Sequence, residues 1–168
     1  PGGTHVEWAR AGGSSPATAG AQEKGLLVSL DPGGFPGRAR ERQRRQVDTC
    51  APCHSRRALV HAPDGWGEPF TESYRPEILR EDLYFPDGQV RDEVYVYGSF
   101  LQSRMFAEGV VCTDCHDPHT LKLVAEGNAL CAQCHVPTTY DDPQHTHHPV
   151  GSEGSACVAC HMVETTYM

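Results

Sequence analysis

A chain of 168 residues holds one domain or at most two, and its 38% hydrophobic content is low for a protein that must build its own core. With 17 glycines and 13 prolines much of it is loop and turn, so the fold needs a staple: disulfides, a metal or a large apolar cofactor. A net charge of −8 argues against nucleic-acid binding, and no run of 18 apolar residues offers a membrane-spanning helix.

In chain order, residues 1–37 read as a flexible N-terminal arm, with a Gly-, Ala-, Ser- and Pro-rich tether over 11–37. No signal peptide is seen, and Pro1 reads as the start of a processed or excised chain. An Arg-rich helix is expected over 38–48, and residues 38–168 form the main domain. Seven of the 14 basic residues fall between Arg38 and Arg57, whereas residues 58–168 hold five basic and 17 acidic residues, a local net of −12. Two roles stay open for these arginines: a solvated helix face, or pairing with the carboxylates of a buried cofactor. Residues 58–90 read as a long loop with the turn signals "PDGWGEP" and "PDGQ", and His61 is a loop residue within it. Val94, Tyr97, Leu101 and Met105 follow a 3-4-4 spacing, which predicts a helix over 91–108 with those residues on one face.

All eight cysteines belong to four motifs: "CAPCH" (50–54), "CTDCH" (112–116), "CAQCH" (131–135) and "CVACH" (157–161). Cys-x-x-Cys-His is the attachment signature of c-type haem. On a helical turn, positions i, i+3 and i+4 share a face, so two thiols form thioethers to the porphyrin vinyls and the imidazole reaches the iron as proximal ligand. Zinc sites, disulfides and a thioredoxin-like redox pair are the competitors, and none needs the histidine. With ten histidines in the chain, one would follow all four pairs by chance about once in 10^5. The expectation is four covalent haems on Cys50 and Cys53, Cys112 and Cys115, Cys131 and Cys134, Cys157 and Cys160. His54, His116, His135 and His161 are their proximal ligands, and the porphyrins supply the core. Motif gaps of 57, 14 and 21 residues make haems two and three neighbours and put the first at the end of the row.

Six histidines and the methionines Met105, Met162 and Met168 remain for four distal positions, an excess that favours closed, electron-transferring irons. Pro118 ends the turn immediately after His116. His119 follows only three residues later, a reach of at most about 10 Å, too short to go round its own porphyrin. As a ligand it must therefore serve a different haem; otherwise it is a surface loop histidine. A second cluster, "HTHH" at 145–148, lies in a Pro-flanked loop, where one imidazole is commonly a spectator.

The blocks "YGSFLQSRMFAEGVVCTDCHDPHTLKL", "EGNALCAQCH" and "GSACVACHM" resemble a recurrent block of bacterial multihaem c-type cytochromes, a likeness covering about residues 45–168. The resemblance implies electron transfer through closely packed, mostly bis-histidine haems, in the periplasm or outside the cell. It implies a mostly irregular fold with short α-helices and little or no β-sheet. Relatives carry the Cys-His-x-Pro-His pattern, which favours His119 as a distal ligand. They are His-rich near 145–148, which favours His145 and His148 over His147. In relatives a run like "PGGTHVEW" follows another haem motif and its histidine binds a neighbouring haem, so His5 is a further distal candidate, for this chain or an adjacent copy. Met105 stands seven residues before Cys112, where related families often place a distal histidine. Core packing is the role expected of it, and ligation the alternative.

These readings converge on a tetrahaem electron carrier rather than an enzyme, exchanging electrons with redox partner proteins or adjacent copies of itself. Filament assembly is compatible with that role. The rival is the electron-feeding or catalytic part of a larger multihaem reductase, which needs an open iron with acid–base groups beside it. Haem is attached after export, so a periplasmic or extracellular location is expected. Each haem adds two propionates to an already acidic chain, and at least one of the arginines at 38–57 is expected to contact one.

Overall fold

The computed structural model describes residues 3–12, 40–63, 68–77 and 79–164. The tether from residue 13 onward, Arg38, the first turn signal around residues 64–67 and Met168 lie outside the described residues, as does the side chain of Arg42. The chain divides into two compact units, Pro1–Cys112 and Thr113–Met168.

In the first unit, Gly3–Arg10 of the expected arm forms helix α1, where His5 stacks on Trp8 with ring centroids 5.6 Å apart. Helix α2 spans Arg40–His54 and so runs past the Arg-rich segment through the whole first motif. Its buried positions Gln43, Gln46, Val47 and Ala51 fall at i, i+3, i+4 and i+8, one face of a 3.6-residue period. Pro52, which has no N–H, removes one bond from the helix's last turn. Strands β1 (Arg57–Leu59) and β2 (Tyr74–Pro76) form a small antiparallel sheet, with Ala58 opposite Arg75. Helix α3 (Phe70–Ser73) leads directly into β2.

The core of this unit is Val47, Ala51, Phe70, Tyr97 and Val111. The Phe70 ring stacks on Tyr74 and meets Tyr97 edge-on at 5.1 Å. A second cluster joins Leu83, Tyr84 and Val94, with Val90 against it. The expected turn "PDGQ" is present: Gly88 takes φ +86°, its N–H donates to Phe85 O at 2.8 Å, and Tyr84 bridges to Val90.

The helix expected over 91–108 is shorter and broken. Val94 O accepts from Arg56 N–H and Tyr95 takes φ +60°, so α4 begins only at Val96 and ends at Gln102. Ser103 then turns extended, and its Oγ caps α5 (Arg104–Ala107) by accepting from Phe106 N–H at 3.1 Å. The break takes Met105 off the face that carries Tyr97 and Leu101, while Val94, before α4, packs in the separate Leu83–Tyr84 cluster. Met105 is 42% exposed, which corrects the expectation that it packs in the core.

The second unit is a succession of short turns. After a 3-10 turn at Cys112–Asp114 come α6 (Asn128–Cys131), α7 (Pro137–Tyr140) and α8 (Pro143–Thr146). A 3-10 turn at Glu153–Ser155 then leads to α9 (Cys157–His161). Among its described residues only Ser155 is buried. Its apolar side chains do not cover one another: Leu121 is 86% exposed and Val150 75%. The architecture is therefore short helices and irregular chain with little β-sheet, as the sequence implies.

Candidate functional site

The four motifs sit on short helical turns, as the spacing of their ligands requires. The first closes α2, the second begins on the 3-10 turn at Cys112–Asp114, the third straddles the end of α6, and the fourth is α9. None of the eight cysteines is joined in a disulfide, so the disulfide reading finds no support. Among the described residues no three His, Cys, Asp or Glu side chains converge as zinc ligands would, so the zinc reading finds no support. Successive motifs instead meet through their cysteines. A hydrogen bond from the Cys112 thiol pulls the Cys50 thiol down to about 7. Burial, then the neighbouring Cys157, pushes the Cys131 thiol up, and burial, then Asp114 and Cys134, does the same to Cys115.

The first motif is braced by a buried polar network. The Asp48 carboxylate, two residues before Cys50, accepts from Tyr97 OH at 3.0 Å, Arg44 Nε at 3.1 Å and Phe70 N–H at 3.3 Å. Arg44 also donates to Tyr97 OH at 3.3 Å. Burial and then the Asp48 charge push the Tyr97 phenol well above the usual tyrosine range. Other basic residues of the 38–57 run are engaged as well: Arg56 pairs with Asp92 at 3.8 Å, and Arg57 lies over the Tyr74 ring. The described arginines of the run whose side chains are placed are all exposed, as a solvated face requires.

Beyond His116 the chain leaves the helical turn at once, as Pro118 requires. His116 bridges to Leu123, and the Asp117 carboxylate accepts from His119 N–H at 2.8 Å and Thr120 N–H at 3.4 Å. The His119 bond holds the Asp117 carboxyl below its ordinary range. This tight turn leaves the His119 side chain 74% exposed.

The third and fourth motifs are linked by a file of rings. Tyr140 meets His135 edge-on at 5.5 Å and His145 edge-on at 5.4 Å. The His145 ring in turn lies within 5° of parallel to His161, with centroids 6.1 Å apart. Helix α8 presents His145 because Asp142 caps it, accepting from Gln144 N–H, and Pro143 opens it. The other two histidines of "HTHH" are placed differently. His147 is the left-handed cap of α8, at φ +59°, and the His148 ring lies so close to Gly154 that a Cβ there would sit 2.6 Å from Nδ1.

Two side chains that sequence reasoning missed tie the motifs together. Gln133, inside the third, donates to Asp114 O inside the second at 3.2 Å. Asn128 bonds to Ser155 O, Cys157 N–H and Asp141. Tyr140 and Asp48 were also missed. An aromatic residue midway between two candidate ligands, and a carboxylate just ahead of a haem motif, were the signals available.

Turns that present Cys, Cys and His together, in a unit whose apolar side chains lack a protein core, fit a large flat apolar cofactor. His161, in the fourth motif, and His145 would both be available to hold such a group. Cys-x-x-Cys-His motifs define the class: covalent attachment of c-type haem, and with it electron transfer. A family described as "Doubled CXXCH motif" matches residues 104–139, the span around the second and third motifs, and supports a multihaem c-type cytochrome. No curated protein and no solved structure matches the chain. Among the described residues no helix is long and apolar enough to cross a membrane.

Proposed function

We propose that the chain is a tetrahaem electron-transfer protein whose irons are closed by two axial ligands. The haems supply one-electron chemistry at iron; the chain's own residues attach, orient and shield them. The eight cysteines hold the porphyrins, and His54, His116, His135 and His161 take the proximal positions. His145 would complete the fourth site together with His161, and their near-parallel rings, 6.1 Å apart, are the observation that supports this assignment. Tyr140 packs edge-on against His135 and His145 and would hold both ring orientations. His5, His119 and His148 remain the distal candidates for the other sites; His147, as a helix cap, is the weakest, and exposed Met105 is the remaining alternative. The exposed apolar side chains of the second unit are the surface against which porphyrin packs.

Electrons pass to redox partner proteins or to adjacent copies of the chain in the periplasm or outside the cell. Exposed His119 suits ligation across copies, and concentration-dependent assembly in size-exclusion chromatography tests it; monomers at every concentration would remove the filament reading. Replacing His145 with alanine tests the ligation. One of four low-spin ferric signals should become high-spin, while His147→Ala should leave all four unchanged. Unaltered spectra in the His145 variant would contradict the assignment.

A further inference from the structure

Asn128 opens α6 three residues before Cys131, and both ends of its carboxamide are used outside that helix. Nδ2 donates to Asp141 Oδ1 at 2.8 Å and to Ser155 O at 3.0 Å, while Oδ1 accepts from Cys157 N–H at 2.9 Å. One half-buried side chain therefore joins the third motif, the first cysteine of the fourth, and the residue following Tyr140. Asp141 stands four residues before His145, and the next residue, Asp142, caps the helix that carries it. The placement of Tyr140, His145 and His161 thus runs through positions tied to Asn128. No apolar core competes for the task. Ser155, whose carbonyl takes the Asn128 amide, is the one buried residue among those described in this unit.

The residue type follows from the bonds. Among side chains this short, a carboxamide alone offers both donors and an acceptor. Aspartate at 128 would keep the bond from Cys157 N–H but lose that to Ser155 O, and would set two carboxylates against each other at Asp141.

We propose that Asn128 is a positioning residue that fixes the fourth haem site, with its His145–His161 pair, against the third. The proposal rests on the haem ligation above. Its test uses the full chain loaded with haem in a host that matures c-type cytochromes, as wild type, N128A, N128D and the exchange variant N128D/D141N. The exchange restores the contact between residues 128 and 141 with donor and acceptor reversed, while residue 128 still accepts from Cys157 N–H.

Haem content is read by the pyridine haemochrome assay, and each site by low-temperature EPR and redox titration. N128A and N128D should keep four haems, with altered g-values and midpoint potentials for two of them and the other two unmoved. The exchange variant should move those two signals back towards wild type. EPR and potentials of N128A superimposable on wild type would overturn the proposal. If N128A fails to load haem, the remaining pair decides: an exchange variant as impaired as N128D overturns the proposal, and its recovery supports it. A wild-type chain that holds no haem would instead overturn the haem reading itself, so the two failures are distinct.

Discussion

Asp48 is a buried carboxylate that three donors satisfy, one of them the Tyr97 hydroxyl at 3.0 Å. Removing that hydroxyl leaves a charged acceptor short of a partner, which costs about 1–3 kcal/mol. Tyr97→Phe should therefore lower the stability of the first unit by about that amount in urea denaturation. Its pH dependence has a definite sign. The unfolded phenol loses its proton near pH 10, whereas burial and Asp48 hold the folded phenol protonated to higher pH. Between those values the unfolded state binds fewer protons, so the stabilisation is complete below about pH 10 and falls as pH rises beyond it. In thermal unfolding from about pH 9 to 11, wild type should lose more stability than the phenylalanine variant. Parallel curves would contradict the protonated Tyr97–Asp48 contact. His145 and His147 show the same dependence on local detail: two residues apart in one helix, one ring faces His161 while the other residue ends the helix with φ +59°.

At the scale of elements, the legible parts were those that repeat or punctuate. Cys-x-x-Cys-His announces its own helical turn, Pro118 announces the exit after His116, and "PDGQ" announces its turn. The break at Ser103 was not legible, because a 3-4-4 spacing reads the same whether one helix or two carry it. Only the cap that Ser103 gives Phe106 N–H decides between them. Polar clamps were equally hidden: Asn128 and Gln133 act across 13 to 29 residues and leave no periodic trace. Gly98 belongs with these. A Cβ there would lie 2.2 Å from the Tyr84 hydroxyl, so α4 packs on the Leu83–Tyr84–Val94 cluster only with glycine at this point. Gly98→Ala should destabilise the first unit by about 1–3 kcal/mol through overpacking, measured by thermal unfolding. An unchanged midpoint would mean that Tyr84 does not pack there.

For the whole molecule, the two units differ in what holds them. The first has an apolar core around Val47, Phe70 and Tyr97, whereas among the described residues of the second only Ser155 is buried. The low apolar content of the sequence pointed to this need for a cofactor but not to its uneven distribution. Chain produced without haem attachment should therefore be cleaved rapidly by protease after residue 113 while residues 40–112 persist, and the loaded protein should resist throughout. Mass spectrometry of the fragments checks this, and equal protection of both parts without haem would contradict it. The most direct test of the whole reading is low-temperature EPR of the resting ferric protein, with haem counted on the same sample. Four haems per chain are expected, all low-spin. The near-parallel His145 and His161 rings should give one of them a rhombic signal, not the strongly anisotropic signal of perpendicular ligands. Fewer than four haems, or a high-spin ferric signal in the wild-type protein, would contradict a closed tetrahaem carrier.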